Sequence, residues 1–141
     1  CDIAIGVDTL NMGLTETRLG LIPATIGPYV IARMGEAMAR RVFMNARIFG
    51  ADEAVALGLL AKTVPADALD AAVEAEIEPY LSCAPGAVAS AKALTQALGP
   101  RIDEAMINYS IQQLIARWQT DEAKDGIAAF FAKTPAPWRN A

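Results

Sequence analysis

The chain has 141 residues, of which 54% are hydrophobic and 20% are charged, a composition typical of a globular domain. Its formal net charge of −4 argues against general nucleic-acid binding, and no apolar run reaches the roughly 18 residues that a membrane span requires. The chain has no histidine, and its two cysteines lack metal-ligand spacing, which excludes histidine-dependent triads and histidine-ligated zinc within it; we expect no metal site.

The first 65 residues predict short strands and short helices. The β-branched run of residues 2–7 predicts a buried strand, and residues 12–16 predict a second short strand. Glycine and proline predict a loop over residues 19–23. Beyond it, helical signals cover residues 29–34, 36–44 and 51–57, with Gly35 and Gly58 as stops of the first and the third, and an extended segment covers residues 59–64.

From residue 66 onward the pattern predicts helices alone. The apolar periodicity of residues 66–83 is interrupted by Pro79, where we expect a kink or break because proline removes a backbone hydrogen bond. Further helices are predicted over residues 85–98 and 102–119, and a last one, capped by Thr120 or Asp121, ends before Pro135 and Pro137. The helix over residues 102–119 is apolar on several sides, which is typical of a buried or interface helix.

Two short strands followed by a train of helices predict an incomplete sheet. Two strands alone are marginally stable, and their unpaired edges would be exposed. The chain also enters its first strand directly from Cys1, with no methionine before it. We therefore expect the chain to be part of a longer protein whose other residues complete the sheet.

An ordered set of short motifs runs along nearly the whole chain. By residue number, the motifs are CDIAI at 1–5, MGLTE at 12–16, LGLIP at 19–23, ADEAVALGLLAKTVP at 51–65 and TDEAKDGIAAFFAK at 120–133. Each is weak alone, but their order and spacing resemble the crotonase (enoyl-CoA hydratase/isomerase) superfamily in its carboxy-terminal half. Residues 21–30 look most like hydratases of the methylglutaconyl-CoA and carboxygeranoyl-CoA type.

The resemblance implies an α/β fold in two parts. Residues 1–65 would be the end of a ββα spiral, with two or three short strands and the active-site turn, and residues 66–141 a mostly helical region that forms a homotrimer or a hexamer. The implied substrate is an acyl-CoA, and no separate cofactor is expected because coenzyme A is part of that substrate. The implied location is the cytoplasm, or the mitochondrial matrix in a eukaryote, without a nucleic-acid or membrane partner.

The resemblance also assigns five residues to the site. Glu16 matches one of two glutamates that hold a water for addition across a C2=C3 double bond, which needs a base for the water proton and an acid for the α-carbon. Ala24 stands where the family has a glycine whose backbone N–H binds that water; the donor survives the change if φ stays negative. Thr25 would contact the substrate, Leu114 would line the acyl-tail pocket, and Lys133 would reach the ribose phosphate of coenzyme A.

Several alternatives stay open at this point. The second glutamate and the N–H groups that stabilise the enolate are expected before Cys1. A glutamate five positions before Cys1 would favour a hydratase, and its absence would leave open an isomerase or a CoA-thioester hydrolase of the same fold. The isolated chain could also be an inactive trimerising fragment, or a binding module unrelated to crotonases. Lys133 could simply favour the negative end of a helix dipole, and Leu114 could be core. We expect Trp118, Phe130 and Phe131 to serve packing.

Overall fold

The computed structural model describes residues 1–140, in which short strands precede and interrupt a series of helices. The strands are β1 (Ile5–Val7), β2 (Asn11–Gly13), β3 (Ile48–Gly50) and β4 (Lys62–Val64). The α-helices are α1 (Gly27–Met34), α2 (Glu36–Phe43), α3 (Ala51–Ala56), α4 (Leu69–Ile77), α5 (Pro85–Leu98), α6 (Glu104–Trp118) and α7 (Asp121–Ala132). Short 3-10 helices cover Glu16–Leu19, Ala66–Ala68, Glu78–Ser82 and Pro137–Asn140. The predicted α/β class is confirmed.

One compact unit consists of residues 1–12 and 49–101. In it β1 and β4 pair in parallel, with Ile5 opposite Lys62 and Val7 opposite Val64. Parallel strands need a long crossover between them, which explains why residues far apart in sequence share this unit. The Lys62 ammonium lies 2.7 Å from a carboxylate oxygen of Glu76 on α4.

The second compact unit consists of residues 13–48 and 102–140. Its helix α1 packs against α2 and α6, and α7 packs against the 3-10 helix Glu16–Leu19. Val42 and Ala123 are fully buried in its core. The Thr120 hydroxyl caps α7, because its Oγ1 accepts a hydrogen bond from the Ala123 N–H (3.3 Å) and donates one to the Arg117 carbonyl oxygen (2.7 Å).

The helices follow the sequence predictions closely. Helix α5 has the predicted bounds, and α1 ends at Gly35 as expected. Helix α4 ends at Ile77, and the backbone tightens into a 3-10 helix around Pro79, so the predicted break is confirmed. Thr120, one of the two predicted caps, is the residue that caps α7.

Two predictions about the first half need correction. The described residues contain four strands and not two or three: β4 lies within the predicted extended segment 59–64, whereas β3 has only three residues and was not predicted. The second predicted strand ends at Gly13, and Glu16 begins a 3-10 helix instead of continuing that strand. The functional division at residue 65 stays a prediction; each compact unit draws residues from both sides of that position.

Aromatic side chains near the carboxy terminus are also more exposed than predicted. Trp118, Phe130 and Phe131 were expected to serve packing, yet they are 57%, 64% and 78% exposed in the single chain. The Phe130 and Phe131 rings contact each other edge to face, with centroids 5.6 Å apart. Helical periodicity identifies an apolar face but does not say whether the same chain covers it.

No helix within residues 1–140 combines the length and the apolar character that crossing a membrane would require.

Candidate active site

Glu16 begins the 3-10 helix Glu16–Leu19 of the second unit, three residues after the end of β2. Its carbonyl oxygen accepts a hydrogen bond from the Leu21 N–H (3.1 Å), which closes the segment on itself. Gly20 ends the segment with φ 72°, a left-handed conformation that glycine adopts without steric cost. We call residues 16–21 the Glu16 turn.

The Glu16 side chain is half-buried, and one of its oxygens is isolated from both solvent and protein donors. Oε2 is buried and has no hydrogen-bond partner among residues 1–140. Most buried polar side-chain atoms are hydrogen-bonded, so a buried acceptor without a donor points to a chemical role. A carboxylate oxygen in this state can accept a proton.

Two glycines bring the Glu16 turn against α7. A Cβ added at Gly20 would lie 2.6 Å from the carbonyl carbon of Glu122, and a Cβ added at Gly126 would lie 2.6 Å from the carbonyl carbon of Leu19. Neither distance is possible for a real side chain. The turn and the helix therefore touch backbone to backbone, and this approach depends on glycine at both positions.

Arg117, on α6, holds the same turn from a second side. Its Nε and Nη2 atoms donate to the Gly20 carbonyl oxygen at 3.0 and 2.9 Å. Nη2 also donates to a carboxylate oxygen of Glu122, the second residue of α7. A guanidinium presents its donors in a fixed planar fork, so these contacts fix the end of the turn relative to both helices.

An apolar cleft of about 450 Å³ lies beside the turn. Thr17, the neighbour of Glu16, lines it together with residues of α1, α2 and α6 and of the segment before α1. Its other lining residues are Ile22, Pro23, Ala24, Gly27, Pro28, Ile31, Phe43, Met44, Met106, Tyr109, Ser110 and Gln113. None of these residues is charged, so the cleft suits an apolar, uncharged group.

All five residues assigned from the sequence lie in the second unit, but only one of them, Ala24, lines the cleft. Ala24 is buried, lines the cleft and has no positive φ, so the condition for replacing a glycine is met. Its N–H donates to the Ile22 carbonyl oxygen at 2.8 Å, and a water bound there would share this donor. Thr25, in the turn before α1, is exposed.

The two remaining assigned residues lie on α6 and at the end of α7. Leu114 is half-buried on α6 and is not among the residues that line the cleft. Lys133 is exposed at the carboxy-terminal cap of α7, with φ 55° and ψ 37°. Its ammonium stands near the negative end of that helix dipole. The structure tests neither the acyl role of Leu114 nor the phosphate role of Lys133, and both stay predictions.

The sequence did not identify the residues that hold the turn in place. Arg117 and Glu122 each look like ordinary charged residues on helix surfaces. Gly126 did carry a signal, because a glycine inside a helix costs about 1 kcal/mol relative to alanine and is usually kept for a close approach. No group of three or more metal-ligating side chains lies within the part of the chain that the structure describes.

Comparison with known proteins decides the family. A family model described as enoyl-CoA hydratase/isomerase matches residues 1–141. The chain belongs to the enoyl-CoA hydratase/isomerase family. The curated short-chain-enoyl-CoA hydratase of Clostridium acetobutylicum is 31% identical over 136 residues, which is 94% of this chain and 51% of that protein.

Solved enoyl-CoA hydratase structures share the fold. One from Mycobacterium avium superposes with a TM-score of 0.81 at 26% identity, over 98% of this chain and 54% of that one. Another, from Shewanella pealeana, is 35% identical with a TM-score of 0.64, over 97% of this chain and 51% of that one. The chain spans about half the length of the curated relatives it matches.

Membership in the enoyl-CoA hydratase/isomerase family confirms the predicted crotonase superfamily and its fold. The closer resemblance to hydratases of the methylglutaconyl-CoA and carboxygeranoyl-CoA type stays a prediction. So do the trimer or hexamer, the cellular location and the absence of a separate cofactor.

Proposed function

We propose that the protein containing this chain is an enoyl-CoA hydratase that adds water across the C2=C3 double bond of a short or branched acyl-CoA, with Glu16 as acid/base. One observation carries the proposal. The carboxylate of Glu16 has a buried oxygen that no residue among 1–140 hydrogen-bonds, and its neighbour Thr17 lines an uncharged cleft. The relatives named as enoyl-CoA hydratases support the reaction class.

The reaction needs one proton removed and one supplied. The water oxygen bonds to C3 as Glu16 takes the water proton, and the acid that the resemblance places before Cys1 gives a proton to C2, so the double bond is consumed and the atoms balance. Glu16 Oε2 can accept the proton of the attacking water, since no protein donor among residues 1–140 occupies it. The resemblance places the N–H groups for the thioester oxygen before Cys1, so we assign to this chain the water side of the site.

The cleft supports an acyl group that is short or branched and uncharged. Its volume of about 450 Å³ falls at the smaller end of ligand pockets, which are roughly 300–1,000 Å³. Burying a carboxylate without a cation to pair with it is costly, and no lining residue carries a positive charge. A substrate with a second carboxylate, such as methylglutaconyl-CoA, would need a positively charged group from outside this cleft to pair with that carboxylate.

The other assignments are proposed with Glu16. We place the attacking water near the Ala24 N–H, which would then be shared with the Ile22 carbonyl oxygen. Thr25 and Leu114 are proposed to contact the substrate, and the exposed ammonium of Lys133 is proposed to meet the ribose phosphate of coenzyme A. A homotrimer or hexamer is supported by α6, which exposes apolar side chains on several sides, among them Met106, Tyr109, Ile111, Ile115 and Trp118.

The test is Glu16→Gln in the complete protein that contains this chain. Glutamine keeps the shape of the side chain but cannot take the water proton, so kcat for hydration of crotonyl-CoA should fall by about 10²–10⁴. The matched control is Glu36→Gln, which removes an exposed carboxylate that pairs with Arg40 on α2 and should leave kcat unchanged. A loss smaller than about tenfold in Glu16→Gln would reject the catalytic role.

The same assay separates the alternatives. Loss of the conjugated double bond without thiol release indicates hydration. Release of free coenzyme A indicates a thioester hydrolase, and turnover of a 3-enoyl-CoA to a 2-enoyl-CoA alone indicates an isomerase. A protein inactive in all three reactions would favour the non-catalytic interpretation.

A further inference from the structure

We infer that Arg117 is a positioning residue for Glu16, one that fixes the catalytic turn without touching the substrate. The inference rests on the proposed function, because it concerns where the Glu16 carboxylate stands during water addition. Arg117 does not line the apolar cleft, and its donors point to the backbone of the turn.

Two donors of one guanidinium converge on one buried backbone acceptor. Nε and Nη2 of Arg117 lie 3.0 and 2.9 Å from the carbonyl oxygen of Gly20, a buried residue. Hydrogen bonds from a charged donor are roughly twice as strong as those between neutral groups. The Gly20 carbonyl is therefore the most firmly held point of the Glu16 turn.

Arg117 is itself held at its side chain and at its backbone by residues at the start of α7. Glu122 accepts from Nη2, and the Thr120 hydroxyl donates to the Arg117 carbonyl oxygen at 2.7 Å. The Arg117 side chain is 35% exposed, so solvent screens its attraction to Glu122 only in part. Both ends of Arg117 are thus tied to the start of α7, the helix against which the Glu16 turn packs.

The turn transmits this restraint to Glu16 over a short distance. The Glu16 carbonyl oxygen accepts from the N–H groups of Gly20 and Leu21, so residues 16–21 move as one hydrogen-bonded segment. A displacement of about 1 Å at a catalytic group can cost about 10²-fold in rate. Releasing the Gly20 carbonyl should therefore lower kcat although Arg117 never meets the substrate.

The test is Arg117→Met in the complete protein that contains this chain, assayed for hydration of crotonyl-CoA. We expect kcat to fall about 10- to 100-fold while KM changes less than about threefold, since substrate contacts are unaltered. Arg117→Lys should recover part of the loss, because an ammonium can donate to the Gly20 carbonyl but cannot form the two-donor fork. Arg40→Met is the matched control, as it removes an arginine whose ion pair with Glu36 lies on the surface of α2.

A double-mutant cycle distinguishes positioning from a structural role. If Arg117 acts through Glu16, Arg117→Met should lower kcat less than about twofold when Glu16 is already Gln, because residues that work as a unit are non-additive. The same fold loss in both backgrounds would overturn the inference. So would a wild-type kcat in both Arg117→Met and Arg117→Lys.

The outcomes remain separable from those of the proposed function. A wild-type protein without hydratase activity defeats the proposed function itself, whereas an active wild type with active Arg117 variants defeats this inference alone. If Arg117→Met does not fold, Glu122→Gln replaces it, because this change keeps an oxygen for Nη2 and removes only the charge. Its kcat should fall severalfold, and an unchanged kcat would count against the inference.

Discussion

Replacing Gly126 by alanine tests the backbone contact that supports the Glu16 turn. Alanine in a helix interior normally gains about 1 kcal/mol over glycine. Here the new Cβ would lie 2.6 Å from the Leu19 carbonyl carbon and 2.7 Å from its oxygen, which are backbone atoms that cannot rotate away. Overpacking of this kind typically costs 1–3 kcal/mol, which offsets the gain or exceeds it.

The control is the same change at Gly86, a helical glycine on α5 whose added Cβ would meet nothing within 4 Å. Gly86→Ala should be neutral or stabilise the protein by up to about 1 kcal/mol. We therefore expect the free energies of unfolding of the two variants, measured by urea denaturation, to differ by about 1–3 kcal/mol. Gly126→Ala should also lower kcat. Equal stability of the two variants would refute the close approach of α7 to the turn.

Two further predictions concern the cap of α7 and the ion pair between Lys92 and Asp2. Thr120→Ala removes the cap of α7 and should lower the free energy of unfolding by about 0.5–2 kcal/mol, whereas Thr120→Ser keeps the accepting oxygen and should lose less; equal losses would contradict the capping role. A hydrogen bond from Lys92, together with the Lys92 charge, lowers the pKa of Asp2. In the Lys92→Met variant, an NMR titration should therefore show a higher Asp2 pKa. An unchanged Asp2 pKa would contradict this role of Lys92. The Asp2 pKa is lower in the folded state than in the unfolded state. The Lys92–Asp2 pair therefore stabilises the fold at pH values above the unfolded-state pKa of Asp2, and this stabilisation is lost as pH falls through the folded-state pKa. The effect is small because both side chains are exposed.

The sequence predicted the helices well because their signals are local. Gly35 after α1, Pro79 after α4 and Thr120 before α7 each act through the backbone of their immediate neighbours. The strands were harder, since each of the four described strands has only three residues and pairs with a segment that is distant in sequence. The parallel β1–β4 pairing joins Ile5 to Lys62, and no local pattern contains that information.

In the candidate site, too, a local motif could be read from the sequence, whereas contacts between residues distant in sequence could not. Glu16 was predicted from a motif, and its buried, unpaired oxygen agrees with a chemical role although it does not test one. Arg117 could not be predicted, because its role depends on the Gly20 carbonyl, 97 positions away, and an exposed helical arginine looks the same without it. Leu114, assigned to the acyl pocket, lies outside the cleft that Met106 and Tyr109 line on the same helix.

The separation between the Glu16 turn and its anchor has a consequence for synthesis on the ribosome. The Arg117 side chain that holds the Gly20 carbonyl is translated 97 residues after Gly20. At about 5–20 residues per second, the nascent chain carries Glu16 for about 5–20 s before its anchor has been made. The Glu16 turn therefore gains this anchor only after α6 has been made, and a protein stopped short of α6 would contain the turn without it.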